Sequence, residues 1–441
     1  MKIHLIAIGG SAMHNIALAL HKKGFLITGS DDAIYEPSKS KLKEHHLLPS
    51  RMGWFPDKIT KDIDIVILGM HARDDNPELI KAQKIGIPIL SYPEYIYQES
   101  KSKKRVVISG SHGKTSITAM ILHVLKNTNI DFDYMVGAQL NGFDTMVRIS
   151  DTASVIIIEG DEYLSSAIDR RPKFHLYNAD IAVISGIAWD HVNVFPTFDI
   201  YVDQFRKFKE TINETLIYFS GDKILSKIVN EKKSCKTIPY KTPDYKTQNG
   251  ITVIEGKELL IFGEHNLQNL NAARLICNEL GINDKKFYNS ISTFKGAGNR
   301  LELIKKNNTA AIYKDFAHSP SKLKATTHAV KKQFPKRKLI ACMELHTFSS
   351  LNKQFLSQYK GCIDNADIAI IYYSPSNIIK KKLPNISYQD IIKGFNREDL
   401  KIFTDSEELL TFLKEIKWTN KNILMMSSGN FNNINLKEII Q

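Results

Sequence analysis

Val106-Val-Ile-Ser109-Gly110-Ser-His-Gly113-Lys114-Thr115-Ser116 runs directly into the apolar stretch Ile117–Leu125. A β-branched run, a glycine turn and an apolar helix-period segment make a strand–loop–helix unit, the opening of a parallel α/β domain. Such a turn exposes backbone N–H groups, and the helix start adds partial positive charge, so phosphate oxygens can sit there. Gly110, Ser111, His112, Gly113, Lys114, Thr115 and Ser116 form the expected phosphate loop. Lys114 would neutralise the β- and γ-phosphates, and the Thr115 hydroxyl would ligate Mg²⁺. The loop is shorter than the G-x-x-x-x-G-K-[ST] form, because position 108 is Ile. The plain alternative is a tight strand-to-helix turn with an exposed lysine.

A bound Mg²⁺ needs further hard oxygen donors. Val155-Ile-Ile-Ile-Glu159-Gly-Asp161-Glu162 supplies them: four β-branched residues make a buried strand with acids at its carboxyl end. Glu159 is the candidate ligand. Asp161 and Glu162 have the alternative role of capping a following helix. A second strand, Ile181–Ile184, leads to Asp190-His191. His191 is a metal ligand, a phosphate contact or a core histidine.

Outward from this centre the alternation of strand and helix continues. Ile3–Ile8, Phe25–Thr28, Ile63–Leu68 and Ile87–Leu90 read as strands of a first doubly wound unit. Lys101–Arg105 reads as a solvated linker, and Glu231–Asn249 as a surface excursion. After Gly296-Ala-Gly298 come Ala310–Tyr313, Leu339–Met343, Ile368–Tyr372 and Ile423–Met426. The expected fold is therefore α/β, three consecutive domains spanning 1–101, 102–295 and 296–441. In the first, Gly9-Gly10-Ser11 lies between strand and helix, and Asp31 follows the second strand where dinucleotide folds put a ribose-binding acid. NAD is thus a competing ligand for that domain.

The 441 residues are 43% hydrophobic and 24% charged, which excludes a disordered or coiled-coil chain. Net charge is 60 − 47 = +13, which suits polyphosphate substrates as well as nucleic acid. No basic stripe with interleaved aromatics favours nucleic acid. Four scattered cysteines show neither a zinc pattern nor a disulfide framework. No apolar run reaches the roughly 18–20 residues of a membrane span, and polar residues interrupt the apolar start. The expectation is a cytoplasmic protein acting on small molecules, without membrane or nucleic-acid partners.

Taken together, these segments resemble the Mur ligase family. Residues 105–116 look like its short ATP loop. Glu159-Gly-Asp-Glu162 is similar to its E-A-D-E run, and Asp190-His191 to its metal-site D-H. Gly263-Glu-His265-Asn266-Leu-Gln-Asn269 resembles G-x-H-N-x-x-N, with Gly298-Asn-Arg300 and Asp315-Phe-Ala-His318-Ser-Pro320 matching two later motifs. The resemblance implies three domains, ATP with Mg²⁺, and an acyl phosphate that an amine converts to an amide. It implies catalytic roles for Lys114, Glu159 and His191, and a metal held by Thr115, Glu159 and His191. Mn²⁺ would substitute well if His191 is a ligand. Asn266 and Asn269 would read adenine, Asp315 the ribose, and Arg300 and His318 the phosphates, with the third domain closing on ATP. Gly9, Gly10, Ser11, Ala12, Met13, Ser30 and Asp31 look like the UDP-sugar loops of the branch that uses UDP-N-acetylmuramate. Within that branch, Asp161-Glu-Tyr163 with Asp169-Arg-Arg-Pro-Lys-Phe174, residues 65–76, and Met426–Phe431 resemble the member that joins the recovered tripeptide L-alanyl-γ-D-glutamyl-meso-diaminopimelate. The member that adds L-alanine is the alternative, and a nucleic-acid-dependent NTPase ranks below both. Amine specificity is expected in Glu344–Ser349 and Ser427–Phe431. Lys207 and Lys209 are read as a solvated helix face.

Overall fold

The computed structural model describes residues 1–189, 194–231, 235–248, 250–298 and 300–440. Its strands, in chain order, are β1 (Lys2–Ile6), β2 (Leu26–Ser30), β3 (Ile65–Leu68), β4 (Ile89–Ser91), β5 (Lys104–Ser109), β6 (Asp133–Met135), β7 (Val147–Arg148), β8 (Val155–Glu159), β9 (Ile181–Ile184) and β10 (Thr215–Phe219). There follow β11 (Lys236–Tyr240), β12 (Lys246–Gln248), β13 (Ile251–Ile254), β14 (Lys257–Leu259), β15 (Glu302–Lys306), β16 (Ala310–Asp315), β17 (Lys338–Glu344), β18 (Ile368–Tyr372), β19 (Lys401–Phe403) and β20 (Lys421–Met426).

The first sheet is parallel, in the order β2-β1-β3-β4. The second is β11-β10-β9-β5-β8-β6-β7, parallel except for the β6–β7 edge. A six-stranded sheet, β15-β16-β20-β17-β18-β19, is parallel except for β15. The strands β12–β14 form a small antiparallel sheet. Helices between parallel strands return the chain to the same edge, so the carboxyl ends of the parallel strands within a sheet lie on one side.

The chain forms two compact units, Met1–Thr242 with Gln268–Ile291, and Pro243–Leu267 with Ser292–Gln441. The first two sheets share the first unit because one apolar cluster runs through both. Met146 N also donates to Asn15 Oδ1 at 2.9 Å, tying the helix Ser11–Lys22 to the segment before β7. The helix Glu264–Glu279 is divided between the units at Leu267 and Gln268.

Two expected surface segments are structural. Within Lys101–Arg105, Lys103 is buried against Asp133, and Arg105 reaches Asp180 at 3.0 Å. β5 begins inside the expected linker, so its cations are consumed as ion pairs that fix the strand's edges. Within Glu231–Asn249, β11 extends the second sheet and β12 opens the small one. Charged residues at the ends of short strands concealed both.

Asp133 has no side-chain exposure, and Lys103 only 6%. Asp133 also accepts from Ser150 N at 2.9 Å and Ser150 Oγ at 2.8 Å. Asp133→Ala should therefore cost about 3–5 kcal/mol, read from urea unfolding, because it strands a buried ammonium. The double change Lys103→Met/Asp133→Leu should cost less than that single change.

Candidate functional site

β5 ends at Ser109 and a helix begins at Lys114, so residues 110–113 make the whole turn. Gly110 has φ +116° and Gly113 φ +82°, in the left-handed region. A Cβ on Gly110 would clash with Ser185 Oγ, and one on Gly113 with Asn269 Oδ1. The neighbours that need those glycines also shape the loop. Ser111 N donates to Gly186 O at 3.0 Å. Ser185 Oγ donates to the carbonyl oxygens of His112 and Ser109.

Lys114 Nζ donates to Glu162 Oε2 at 2.7 Å and to Gly110 O at 2.8 Å. Burial disfavours its charge, but Glu162, Asp161 and Glu159 outweigh that and raise its pKa, so it stays a cation. Thr115 Oγ1 donates to Glu159 Oε1 at 2.8 Å, and Gly137 N to Glu159 Oε2 at 2.9 Å. The structure thus brings Gly110–Ser116 and Glu159 together. A hydroxyl and a carboxylate side by side are hard donors that fit Mg²⁺. Among the described residues no group of three His, Cys, Asp or Glu could hold a metal. A cation here would complete its shell with phosphate oxygens and water. Asp190 and His191 lie outside the described residues.

Asp161 and Glu162 do not cap a helix. An irregular segment follows β8 as far as the short helical turn Lys173–Tyr177. Asp161 Oδ2 pairs with Lys173 Nζ at 2.5 Å. Burial pushes the Asp161 carboxyl up, but Lys173 and Lys114 hold it below the ordinary value. Glu162 is 1% exposed and faces Lys114. Tyr201 OH donates to Glu162 Oε1 at 3.2 Å, and Ser111 Oγ lies 2.9 Å from Tyr201 OH. Ala188 N donates to Ser111 Oγ at 2.8 Å. Tyr201 lies on the helix Phe198–Glu210 and carries no local sequence signal. On the same helix Lys207 pairs with Asp203 at 2.9 Å. Lys209, however, is buried and donates to Ile228 O at 2.7 Å, so it does not belong to a solvated face.

In the first sheet, Gly9 N donates to Asp31 Oδ2 at 2.7 Å, and a Cβ on Gly9 would strike Ile34 at 2.8 Å. Burial pushes the Asp31 carboxyl up, against the pull of that N–H. Gly10 caps the helix Ser11–Lys22, which carries Ala12 and buried Met13; Ser30 is buried at the end of β2. The sheet has four strands, fewer than the about six of a complete dinucleotide fold. That favours a mononucleotide-sized ligand over NAD.

Asn269 packs on Gly113, in the first unit. Asn266, in the second unit, donates to Phe262 O at 2.9 Å. Also in the second unit, Arg300 stacks on Phe316 at 4.5 Å, and His318 Nδ1 lies 3.0 Å from Phe316 O. Asp315 is buried, its carboxyl pushed up by burial, and accepts from Thr326 Oγ1 at 2.7 Å. The two loops expected to read the amine are joined: Glu344 Oε2 accepts from Ser427 Oγ at 2.5 Å and Phe431 N at 2.9 Å. His346 Nδ1 lies 3.5 Å from Glu344 Oε1.

Doubly wound sheets with a glycine phosphate loop and acids on the adjacent strand define a phosphate-loop α/β enzyme. Residues 2–104 match the Mur ligase family catalytic domain, 108–277 the Mur ligase middle domain, and 299–429 the Mur ligase glutamate ligase domain. The chain belongs to the Mur ligase family, whose members are ATP-dependent amide ligases. A UDP-N-acetylmuramate–L-alanine ligase of Caldicellulosiruptor bescii is 31% identical over 84% of this chain and 83% of its own. The UDP-N-acetylmuramate–alanine ligase structure from Thermotoga maritima shares the fold, with TM-score 0.71, 20% identity and coverage of 98% and 97%. So does a murein peptide ligase from Psychrobacter arcticus, with TM-score 0.65, 20% identity and coverage of 100% and 98%. Among the described residues no helix is long and apolar enough to cross a membrane.

Gly113→Ala should weaken binding of a non-hydrolysable ATP analogue about 10- to 100-fold by calorimetry, because a left-handed φ and the Asn269 contact both oppose a side chain. The far-UV circular dichroism should stay that of the wild type.

Proposed function

We propose that the protein couples ATP cleavage to amide formation between UDP-N-acetylmuramate and L-alanine in the cytoplasm. The observation that carries the ATP chemistry is Lys114 beside the Thr115–Glu159 pair on the phosphate loop. The choice of L-alanine is supported by the curated relatives named for that reaction. This reading replaces the expected tripeptide as the first choice of amine.

A carboxylate is a poor acylating agent, because oxide would be its leaving group. In the proposed reaction the muramoyl carboxylate attacks the γ-phosphate, ADP departs and an acyl phosphate forms. The α-amine then attacks the acyl carbon, and inorganic phosphate leaves. Phosphoryl transfer asks chiefly for position and charge neutralisation. Lys114 supplies one positive charge at the loop, while the loop's N–H groups bind phosphate oxygens. Mg²⁺, held by Thr115 and Glu159, would neutralise charge between the carboxylate and the γ-phosphate. One unit-charge repulsion at about 4 Å costs on the order of 4 kcal/mol at an effective dielectric of about 20. Gly9–Met13, Ser30 and Asp31 would receive the UDP-sugar. Asn266, Asn269, Arg300, Asp315 and His318 would complete the nucleotide site, with His191 as a further metal ligand.

The second reading keeps the tripeptide as the amine. The observation favouring it is the Asp161–Lys173 pair, which joins the two halves of the 161–174 pattern similar to the tripeptide-adding ligase. A coupled ADP-release assay with UDP-N-acetylmuramate and an amine panel separates the readings. Turnover with L-alanine is expected. Turnover with the tripeptide alone would transfer the assignment to the second reading, and turnover with neither would reject both. In the same assay Lys114→Ala should lower kcat about 10²- to 10³-fold.

A further inference from the structure

We infer that Glu162 is a positioning residue for the phosphate-loop lysine, and that Tyr201 couples its carboxylate to the loop backbone through Ser111. This deepens the proposed ATP site and rests on ATP being bound there.

The hydrogen bonds converge on the Glu162 carboxylate. Ala188 N donates to Ser111 Oγ, so that hydroxyl points its own proton elsewhere. Tyr201 OH donates to Glu162, which leaves the phenol oxygen to accept from Ser111. Glu162 Oε2 then receives Lys114 Nζ. A chain of donors thus runs from the segment after β9, through the loop, to the Glu162 carboxylate, which Lys114 meets as a donor from the other side. The carboxylate is 1% exposed and the lysine side chain 16%, so the acid lies behind and the ammonium in front. An ammonium has three N–H donors. Gly110 O and Glu162 take two, and in the proposed site the third would serve an incoming phosphate oxygen.

The charges make this more than neutralisation. Lys114 feels Glu162, Asp161 and Glu159 together, while Lys173 offsets Asp161. Glu162 therefore adds negative potential where a polyphosphate must bind. A carboxylate in that place opposes ATP in the ground state, and its benefit must come from directing Lys114 during transfer. Binding and turnover should respond to its removal in opposite senses.

The experiment compares wild type, Glu162→Gln and Tyr201→Phe in the full chain. The readouts are the Kd of a non-hydrolysable ATP analogue by calorimetry, kcat in the ADP-release assay, and Tm. Glu162→Gln should lower the Kd about three- to tenfold and kcat about 10- to 100-fold, the range of one charge-assisted hydrogen bond. Tyr201→Phe keeps the ring and should lower kcat about three- to tenfold, the range of one neutral hydrogen bond. A Glu162→Gln protein with lower Tm but wild-type kcat, or with weaker analogue binding, overturns the inference. If that variant does not fold, Tyr201→Phe decides, and wild-type kcat there overturns it. Failure of the underlying ATP reading registers separately, as no analogue binding by the wild type.

Discussion

One ammonium set against three carboxylates is the interaction on which the centre of this molecule depends. Lys114 is held cationic by Glu162, Asp161 and Glu159 despite its burial. The sheet produces that arrangement. β8 pairs with β5 in parallel register, with Glu159 opposite Ile108, and β9 pairs on the other side, with Ile184 opposite Ser109. Parallel pairing brings three carboxyl ends to one edge. The end of β5 supplies the loop, that of β8 the acids, and that of β9 the Ser185–Gly186 clamp. A one-residue slip of β8 would turn Glu159 to the other face. The apolar run Val155–Ile158, buried throughout, fixes the register that the chemistry needs.

Much of this was legible in the sequence because it is local. A strand, a glycine turn and a helix in direct succession announce themselves, and so do acids after four β-branched residues. Strand boundaries shifted by a residue or two, as at Ala310–Asp315, where charged ends extend the apolar run. What escaped was long-range. Tyr201 stands on an ordinary amphipathic helix, 39 positions from Glu162, and nothing near it marks the contact. Lys209 looks like a surface lysine until its stem is buried and its ammonium caps the carbonyls of Ile228 and Val229. The linker Lys101–Arg105 misled for the same reason. Charge is read as solvation unless the partner is known, and Asp133 and Asp180 lie far along the chain.

The six-stranded sheet repeats the same economy with different residues. β17 and β20 are neighbours but distant in sequence, because the chain returns from β19 past β18 and β17 to place β20 beside β17. Both strands are parallel, so their carboxyl ends lie side by side. Glu344, the last residue of β17, fills that place and binds the loop after β20 through Ser427 and Phe431. Gly429 is required there, since a Cβ would lie 2.7 Å from His346 Nδ1 and 2.9 Å from Glu344 Oε2. Loops that the sequence could name only separately are thus joined through one carboxylate.

The overall charge of +13 invites the view that a basic protein binds polyphosphate by its basicity. The phosphate-loop geometry argues otherwise. Lys114 and Lys173 face Glu159, Asp161 and Glu162, an excess of negative charge at the place where phosphate is to bind. Two ranges of electrostatics must therefore be separated. The distributed lysines set a long-range field that draws polyanions towards the chain and weakens beyond the Debye length, about 8 Å at physiological salt. Within the loop the acids do the opposite: in the proposed reaction they would favour a polyphosphate that carries its own cation, and they hold Lys114 by its ion pair with Glu162. A nucleic-acid-binding chain has no use for that local excess of carboxylates, because its affinity comes from neutralising phosphates directly. The acidic floor under a basic exterior suits small, cation-bound phosphates, which is the substrate class of an ATP-dependent ligase.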